Sequence, residues 1–262
     1  YLGIDIGSVS VKLVLLDEKR NIKQSHYVRH KGQPIQVLIN LLKGIPLAEV
    51  KDIAITGTGG KIVSEVSSIP HINEVTAAHL AIENLLPEIK TLIEIGGQDS
   101  KLLLFKKSST GIPALSDFSM NSICAAGTGS FLDQQASRIG IPIEEFGEIA
   151  LKSKNPPRIA GRCSVFAKTD MIHLQQKATP FHDILAGLCL AMARNFKSTV
   201  GKGKKFEYPI AFVGGVASNK GMVSAFESIF EIKNGELIVP EYHEVFGALG
   251  AAIFAMRNGG NG

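Results

Sequence analysis

The sequence predicts an α/β protein, and three observations predict it. Short apolar strands that end in glycine-rich turns recur at residues 2–16, 91–105 and 208–219. Segments with helical apolar spacing follow them, most densely in the second half. The composition suits this pattern, with 45% hydrophobic residues for cores and 27 glycines for tight turns. At 262 residues the chain has enough length for one large domain or for two lobes.

Taken in order, Tyr1–Ile6 alternates and is β-rich, Gly7-Ser8 turns the chain, and Val9–Asp17 reads as a second strand. Asn21–Arg29 reads as a third. Gln33–Lys43 is amphipathic and helical, and Val50–Thr56 is a short strand ending in Gly57-Thr-Gly-Gly60. Glu74–Leu86 reads as a helix stopped by Pro87. Thr91–Ile95 runs into Gly96-Gly-Gln-Asp-Ser100, and Lys101–Phe105 pairs back in a hairpin. Helices are expected at Ser130–Ile139, Ile143–Lys152, Val165–Gln176 and Pro180 to about Thr199. Tyr208–Phe212 is a strand leading to Gly214-Gly-Val-Ala-Ser-Asn219 and a helix from Lys220 to Phe230. A short strand at Ile238-Val239 and a small-residue helix at Glu244–Met256 complete the chain.

The net charge of +4 is mild and diffuse. Lys202, Lys204 and Lys205 form one basic cluster with no aromatic platform beside it, so it reads as a solvated loop and no nucleic-acid partner is expected. No apolar run approaches the ~18 residues of a membrane span. The first strands carry Asp5 and Lys12, unlike a signal peptide. Three cysteines make no disulfide framework, so a reducing cytoplasm is expected.

The recurring turns have a physical logic for phosphate. In Asp5-Ile-Gly-Ser-Val-Ser10, Gly7 lets backbone N–H groups approach phosphate oxygens, Ser8 and Ser10 add hydroxyl donors, and Lys12 adds positive charge. Asp5 can hold Mg²⁺ through water, since Mg²⁺ keeps much of its hydration shell. Gly96-Gly97 brings a second acid, Asp99, to the same metal, and Gln98 is the candidate for orienting an attacking water. The paired Gly214-Gly215 lets a base or ribose lie against bare backbone. Neither a P-loop nor a Gly-x-Gly-x-x-Gly unit is present.

These three loops, in this order, resemble the phosphate-1, phosphate-2 and adenosine motifs of the actin/Hsp70/sugar-kinase superfamily. The resemblance implies two ribonuclease-H-like lobes with ATP or ADP and Mg²⁺ in the cleft. It implies lobes at 1–94 and 95–243 and a helix at 244–257 returning to the first. The nucleotide contacts it implies are Gly7, Ser8, Val9, Ser10, Lys12, Gly96, Gly97, Gln98, Gly127, Gly129, Gly214, Gly215, Ala217, Ser218 and Asn219, with Asp5, Gln98 and Asp99 catalytic.

Two cysteines stand at the mouths of expected helices: Cys124 in Asn121-Ser-Ile-Cys-Ala-Ala-Gly-Thr-Gly129, and Cys163 in Gly161-Arg-Cys-Ser-Val-Phe-Ala-Lys-Thr-Asp170. A helix N-terminus favours the thiolate that metals and clusters bind. Two thiolates are too few for an ordinary metal–sulfur site, and a symmetric dimer doubles them to four. Both segments closely resemble the activators of 2-hydroxyacyl-CoA dehydratases, in the BadF/BadG/BcrA/BcrD ATPase family. The resemblance, which runs from Leu2 to Met256, implies one [4Fe–4S] cluster per homodimer, held by Cys124 and Cys163 of each subunit. It further implies ATP-driven transfer of one low-potential electron to a dehydratase or related benzoyl-CoA reductase-type enzyme, with ferredoxin or flavodoxin as donor.

Plainer readings stand beside these. Cys189 sits in an apolar helix and reads as core, and His173 as a packing or capping residue. Lys168 and Asp170 read as surface or partner-contact residues, and Glu74 as a water-positioning acid or a helix-start charge. A small-molecule kinase of the same superfamily wants a catalytic Asp for a substrate hydroxyl, which no motif here supplies. A non-redox ATP-gated scaffold, like the kinase, leaves the paired cysteine motifs unused.

Overall fold

The computed structural model describes residues 1–121, 125–161, 163–233 and 235–259. The chain opens with β1 (Leu2–Ile6), β2 (Ser10–Leu16), β3 (Ile22–Arg29), α1 (Pro34–Leu42), β4 (Ile53–Thr56), α2 (Gly60–Ser67) and α3 (Glu74–Leu85). Next come β5 (Thr91–Ile95), β6 (Ser100–Lys107), β7 (Pro113–Asn121), α4 (Gly129–Ile139), α5 (Ile143–Ala150), α6 (Ser164–Gln176) and α7 (Phe181–Ser198). It ends with β8 (Ile210–Val213), α8 (Lys220–Phe230), β9 (Leu237–Ile238) and α9 (Phe246–Asn258). Two units emerge: Tyr1–Glu88 with Lys106–Leu115 and Glu244–Gly262, and Ile89–Phe105 with Ser116–His243.

The first unit holds a sheet of order β3-β2-β1-β4, in which β1 pairs antiparallel with β2 and parallel with β4. Alternation along β1 decides its two faces. Leu2, Ile4 and Ile6 join Val11, Leu13, Leu38 of α1 and Ile55 in one apolar layer. Gly3 turns to the other face, where a Cβ would stand 1.9 Å from the Ala248 carbonyl oxygen of α9. That face is built from small residues: Ala54, Ala77 of α3, and Ala251 and Ala255 of α9. Asn73 caps α3 by accepting the Val75 N–H at 2.8 Å.

The second unit repeats the plan with a sheet of order β7-β6-β5-β8-β9. β5 pairs antiparallel with β6 and parallel with β8, as β1 does with β2 and β4. Hairpin, edge strand and one parallel neighbour is the ribonuclease-H-like order, present once per unit. β5, which a boundary at residue 94 leaves with the first lobe, hydrogen-bonds to β6 and β8 and so lies in the second unit. The core here is aromatic, with Phe131, Phe146, Phe196, Phe212 and Phe226 packed around the buried face of α7.

Two elements have no sequence expectation. Helix α2 begins with Gly60 and is rich in Ser and Val, which weakens helix propensity. Its Ile62 and Val66 point outward, Val66 being 83% exposed, so no core-facing stripe announces it. Strand β7 is an edge strand that begins with Pro113 and alternates only weakly. Among the described residues no helix is long and apolar enough to cross a membrane.

Candidate nucleotide site and cysteine segments

The first strand register sets Asp5 opposite Lys12, and the Lys12 Nζ lies 2.9 Å from Asp5 Oδ2. Asp5 is buried because backbone closes over it at three glycines. A Cβ on Gly57 would stand 2.5 Å from Asp5 Oδ1, and one on Gly247 at the start of α9 would stand 2.8 Å from Oδ2. Gly7 is tighter against Lys12, whose Nζ would be 3.1 Å from its Cβ. The Gly7 N–H donates to the Ser10 carbonyl at 3.0 Å and closes the turn. Ser8 is exposed at the tip and Ser10 is buried, so the two expected hydroxyl donors are unequal. Gly57 and Gly247 carry no expectation from sequence; a glycine inside the helix expected at Glu244–Met256 is the signal for the second.

The second hairpin repeats this with more charge. Ile95 pairs with Ser100, and the Gly96 N–H donates to the Asp99 carbonyl at 3.0 Å, so the glycine hairpin forms as the turn chemistry predicts. Lys101, only 3% exposed, reaches Asp99 Oδ2 at 2.8 Å and Glu94 Oε1 at 3.3 Å. The Asp99 carboxylate folds over Gly96, where a Cβ would stand 2.4 Å from Oδ1. Gln98 is exposed at the tip. Glu94 stands opposite Lys101 as Asp5 stands opposite Lys12, each acid followed by Ile-Gly. The register thus adds Glu94 to the candidate acids, a position that motif reading passes over in favour of Asp99.

Two further segments of the second unit converge on this turn. The N–H groups of Gly129 and Ser130, which open α4, donate to the Gly96 and Gly97 carbonyls, both at 2.8 Å. A Cβ on Gly127 would meet Asn121 Nδ2 at 3.4 Å and Ser100 Oγ at 3.8 Å. Gly214, with φ of +88°, lets the β8–α8 turn approach Ile95, whose carbonyl oxygen would be 2.4 Å from an added Cβ. Ligands of open α/β sheets bind at such carboxyl ends of parallel strands. Gly215 is half-buried and Ala217 buried in the 3₁₀ turn that follows. Ser218 is exposed and its hydroxyl donates to His243 Nε2 at 2.9 Å, because His243 Nδ1–H is given to the Pro240 carbonyl at 2.8 Å. Asn219 uses its side-chain oxygen to cap α8, accepting the Met222 N–H at 3.0 Å.

Cys124 lies outside the described residues. Cys163 is half-buried at the N-cap of α6, where its carbonyl accepts the Ala167 N–H at 3.0 Å and its thiol makes no capping bond. Its approach is held by three side chains: Arg194 donates to the Ile159 carbonyl, Asp170 accepts the Ala160 N–H, and Asn195 donates to the Gly161 carbonyl. Asp170, expected at the surface or a partner contact, is therefore part of the support for the Cys163 segment. Val165 and Phe166 beside Cys163, and Phe118 and Met120 on β7, are exposed apolar residues. Cys189 is core, as its apolar helix predicts, and burial pushes its thiol up to about 12. His173 lies exposed in the last turn of α6, Lys168 is exposed, and Glu74 is in the first turn of α3. Lys204 of the basic loop pairs with Asp117 of β7 at 2.5 Å. Among the described residues no three His, Cys, Asp or Glu side chains converge as a metal-holding group.

The sequence matches the family model described as the BadF/BadG/BcrA/BcrD ATPase family over residues 2–255. It is 36% identical over 260 residues to a 2-hydroxyisocaproyl-CoA dehydratase activator of Clostridioides difficile, covering 97% of this chain and 94% of that one. It is 29% identical over 264 residues to an (R)-2-hydroxyglutaryl-CoA dehydratase activating ATPase of Acidaminococcus fermentans, covering 98% and 96%. The fold superposes on the activator of the 2-hydroxyisocaproyl-CoA dehydratase from Clostridium difficile, solved with bound ADPNP. The TM-score is 0.87 at 34% identity, over 99% of this chain and 95% of that one.

Proposed function

The chain belongs to the BadF/BadG/BcrA/BcrD ATPase family, and we propose that it hydrolyses ATP to activate a 2-hydroxyacyl-CoA dehydratase or a related benzoyl-CoA reductase-type enzyme. One observation of its own carries the coupling. The first two N–H groups of α4, which follows the Cys124 segment, are hydrogen-bonded to the Gly96-Gly97 carbonyls. A shift of the phosphate turn therefore pulls directly on the helix that begins five residues after Cys124.

In this reading the N–H groups of Ser8 and Val9 and the cation of Lys12 hold the phosphates, on a turn that the Gly7 N–H closes. Asp5 and Asp99 hold Mg²⁺ through its water shell, their hard carboxylate oxygens being the donors that ion takes. Gln98 orients the attacking water, and Gly214, Gly215 and Ser218 take the adenosine. Cys163 fits a sulfur-ligated group: its thiol is partly exposed, makes no capping bond, and sits where a helix N-terminus favours negative charge. Cys124 and Cys163 of two subunits would then supply four thiolates to a [4Fe–4S] cluster. When bound, such a cluster supplies a one-electron carrier of low potential. The exposed Phe118, Met120, Val165 and Phe166 exclude water around that place in a homodimer. Ferredoxin or flavodoxin supplies the electron.

The test is anaerobic purification with iron and sulfide of wild type, Cys124→Ser and Cys163→Ser. A brown wild-type dimer whose absorbance at roughly 400 nm is lost in both variants is expected. A colourless monomer that phosphorylates a sugar would sink the proposal and favour the kinase reading.

A further inference from the structure

We propose that His30 and His71 are positioning residues of the phosphate site, each aiming one backbone N–H donor at the nucleotide without touching it. The inference rests on the ATP-binding reading of the Gly7 turn and extends it to a second turn, Gly57-Thr58. His30 lies between β3 and α1, with its own N–H donating to the Val9 carbonyl at 3.0 Å. Its Nε2 is 3.2 Å from the Gly7 carbonyl oxygen, and its Nδ1 is 3.1 Å from the Gly32 nitrogen. The roles are forced. A carbonyl only accepts, so Nε2 carries the proton; an amide N–H only donates, so Nδ1 is bare. Gly32, at φ of +84° after Lys31 at +47°, is what bends the chain back to make that second bond.

His71 does the same at the neighbouring turn. Its backbone is fixed against Ile55: the Ile55 N–H donates to the Pro70 carbonyl at 2.9 Å, and the Ile72 N–H to the Ile55 carbonyl at 2.8 Å. Its Nε2 reaches the Gly57 carbonyl at 3.1 Å. Gly7 and Gly57 are two of the three glycines around Asp5, and each is followed by an exposed hydroxyl residue, Ser8 and Thr58.

Peptide geometry turns these bonds into aim. In a trans peptide the C=O of Gly7 and the N–H of Ser8 share one plane and point in opposite directions, as do the C=O of Gly57 and the N–H of Thr58. An imidazole holding the carbonyl on one side therefore fixes the N–H on the other. Glycine is the residue freest to rotate that plane away; the Gly57 carbonyl also accepts the Gly60 N–H at 3.0 Å, so the Gly7 peptide gains most from its imidazole. A loop held before its ligand arrives loses less entropy on binding.

The test compares His30→Ala, His71→Ala, His30→Gln and His71→Gln in the full chain, by ATPase kinetics with thermal unfolding as a control for folding. Each Ala variant is expected to raise KM for ATP about three- to tenfold with kcat nearly unchanged, the worth of one hydrogen bond made equally in ground and transition states. Gln, which offers an amide N–H, is expected to recover most of the loss. An unchanged KM in a folded Ala variant overturns the proposal, and so does a Gln variant as impaired as Ala. Should the Ala variants fail to fold, the ring ¹⁵N signals of His30 in the wild type at mildly alkaline pH decide. A single Nε2–H tautomer supports the proposal, and a Nδ1–H form or an averaged pair overturns it. A wild type that neither binds nor hydrolyses ATP would fail the functional reading instead, since the ring signals need no nucleotide.

Discussion

Lys101 is the residue on which the second hairpin turns. It is buried between Glu94 and Asp99, so removing its charge leaves two acids facing each other in a poorly solvated place. Lys101→Met is expected to cost about 3 kcal/mol in urea unfolding, and Glu94→Gln added to it to restore part of that loss. Asp99 is legible from the sequence because it closes a glycine turn. Glu94 is not, because only the register with β6 sets it against the lysine. Cys189 offers a second measurement. Burial moves its thiol from the ordinary 9.0 to about 12, so the unfolded chain loses this proton first as pH rises. The stability held by the neutral thiol is full below about pH 9 and is lost toward 12. Cys189→Ala should therefore show a shallower fall in Tm than wild type between neutral and alkaline buffers, whatever its offset at neutral pH.

Among the elements, α9 shows how packing reverses a local rule. Replacing a helix-interior glycine by alanine ordinarily stabilises by roughly 0.5–1 kcal/mol. At Gly250 the new Cβ would stand 1.8 Å from the Ala77 backbone oxygen of α3, and backbone cannot step aside cheaply. Gly250→Ala is expected to destabilise by at least about 1–3 kcal/mol in urea unfolding, and a stabilised variant would refute the close α3–α9 packing. The elements that the sequence hides, α2 and β7, share a cause. Each turns part of its apolar surface outward, Ile62 and Val66 on one and Phe118 and Met120 on the other, so periodicity does not mark a buried face.

For the whole molecule, the sheet order repeated in the two units is the strongest internal sign of how the chain is built, since one hairpin-plus-parallel-strand plan carries a Lys–carboxylate pair each time. Mg-ATP at about one hundred times its Kd should stabilise the fold by about 2.7 kcal/mol, a rise in Tm of roughly 5–10 °C. Chelation of Mg²⁺ should remove most of that rise, and Asp5→Asn should abolish it. A Tm indifferent to nucleotide would remove the phosphate role of both turns.

The sequence by itself determined every strand but β7, the glycine turns between strands, and the burial of Cys189. Those signals act over a few residues, through alternation, backbone freedom and side-chain polarity. Tertiary structure alone decided that Glu94 faces Lys101, that Gly57 and Gly247 close over Asp5, and that two imidazoles hold the carbonyls of the glycine turns. Register and approach are set by energies summed over a whole sheet and its covering helices, and no single stretch of chain carries that sum.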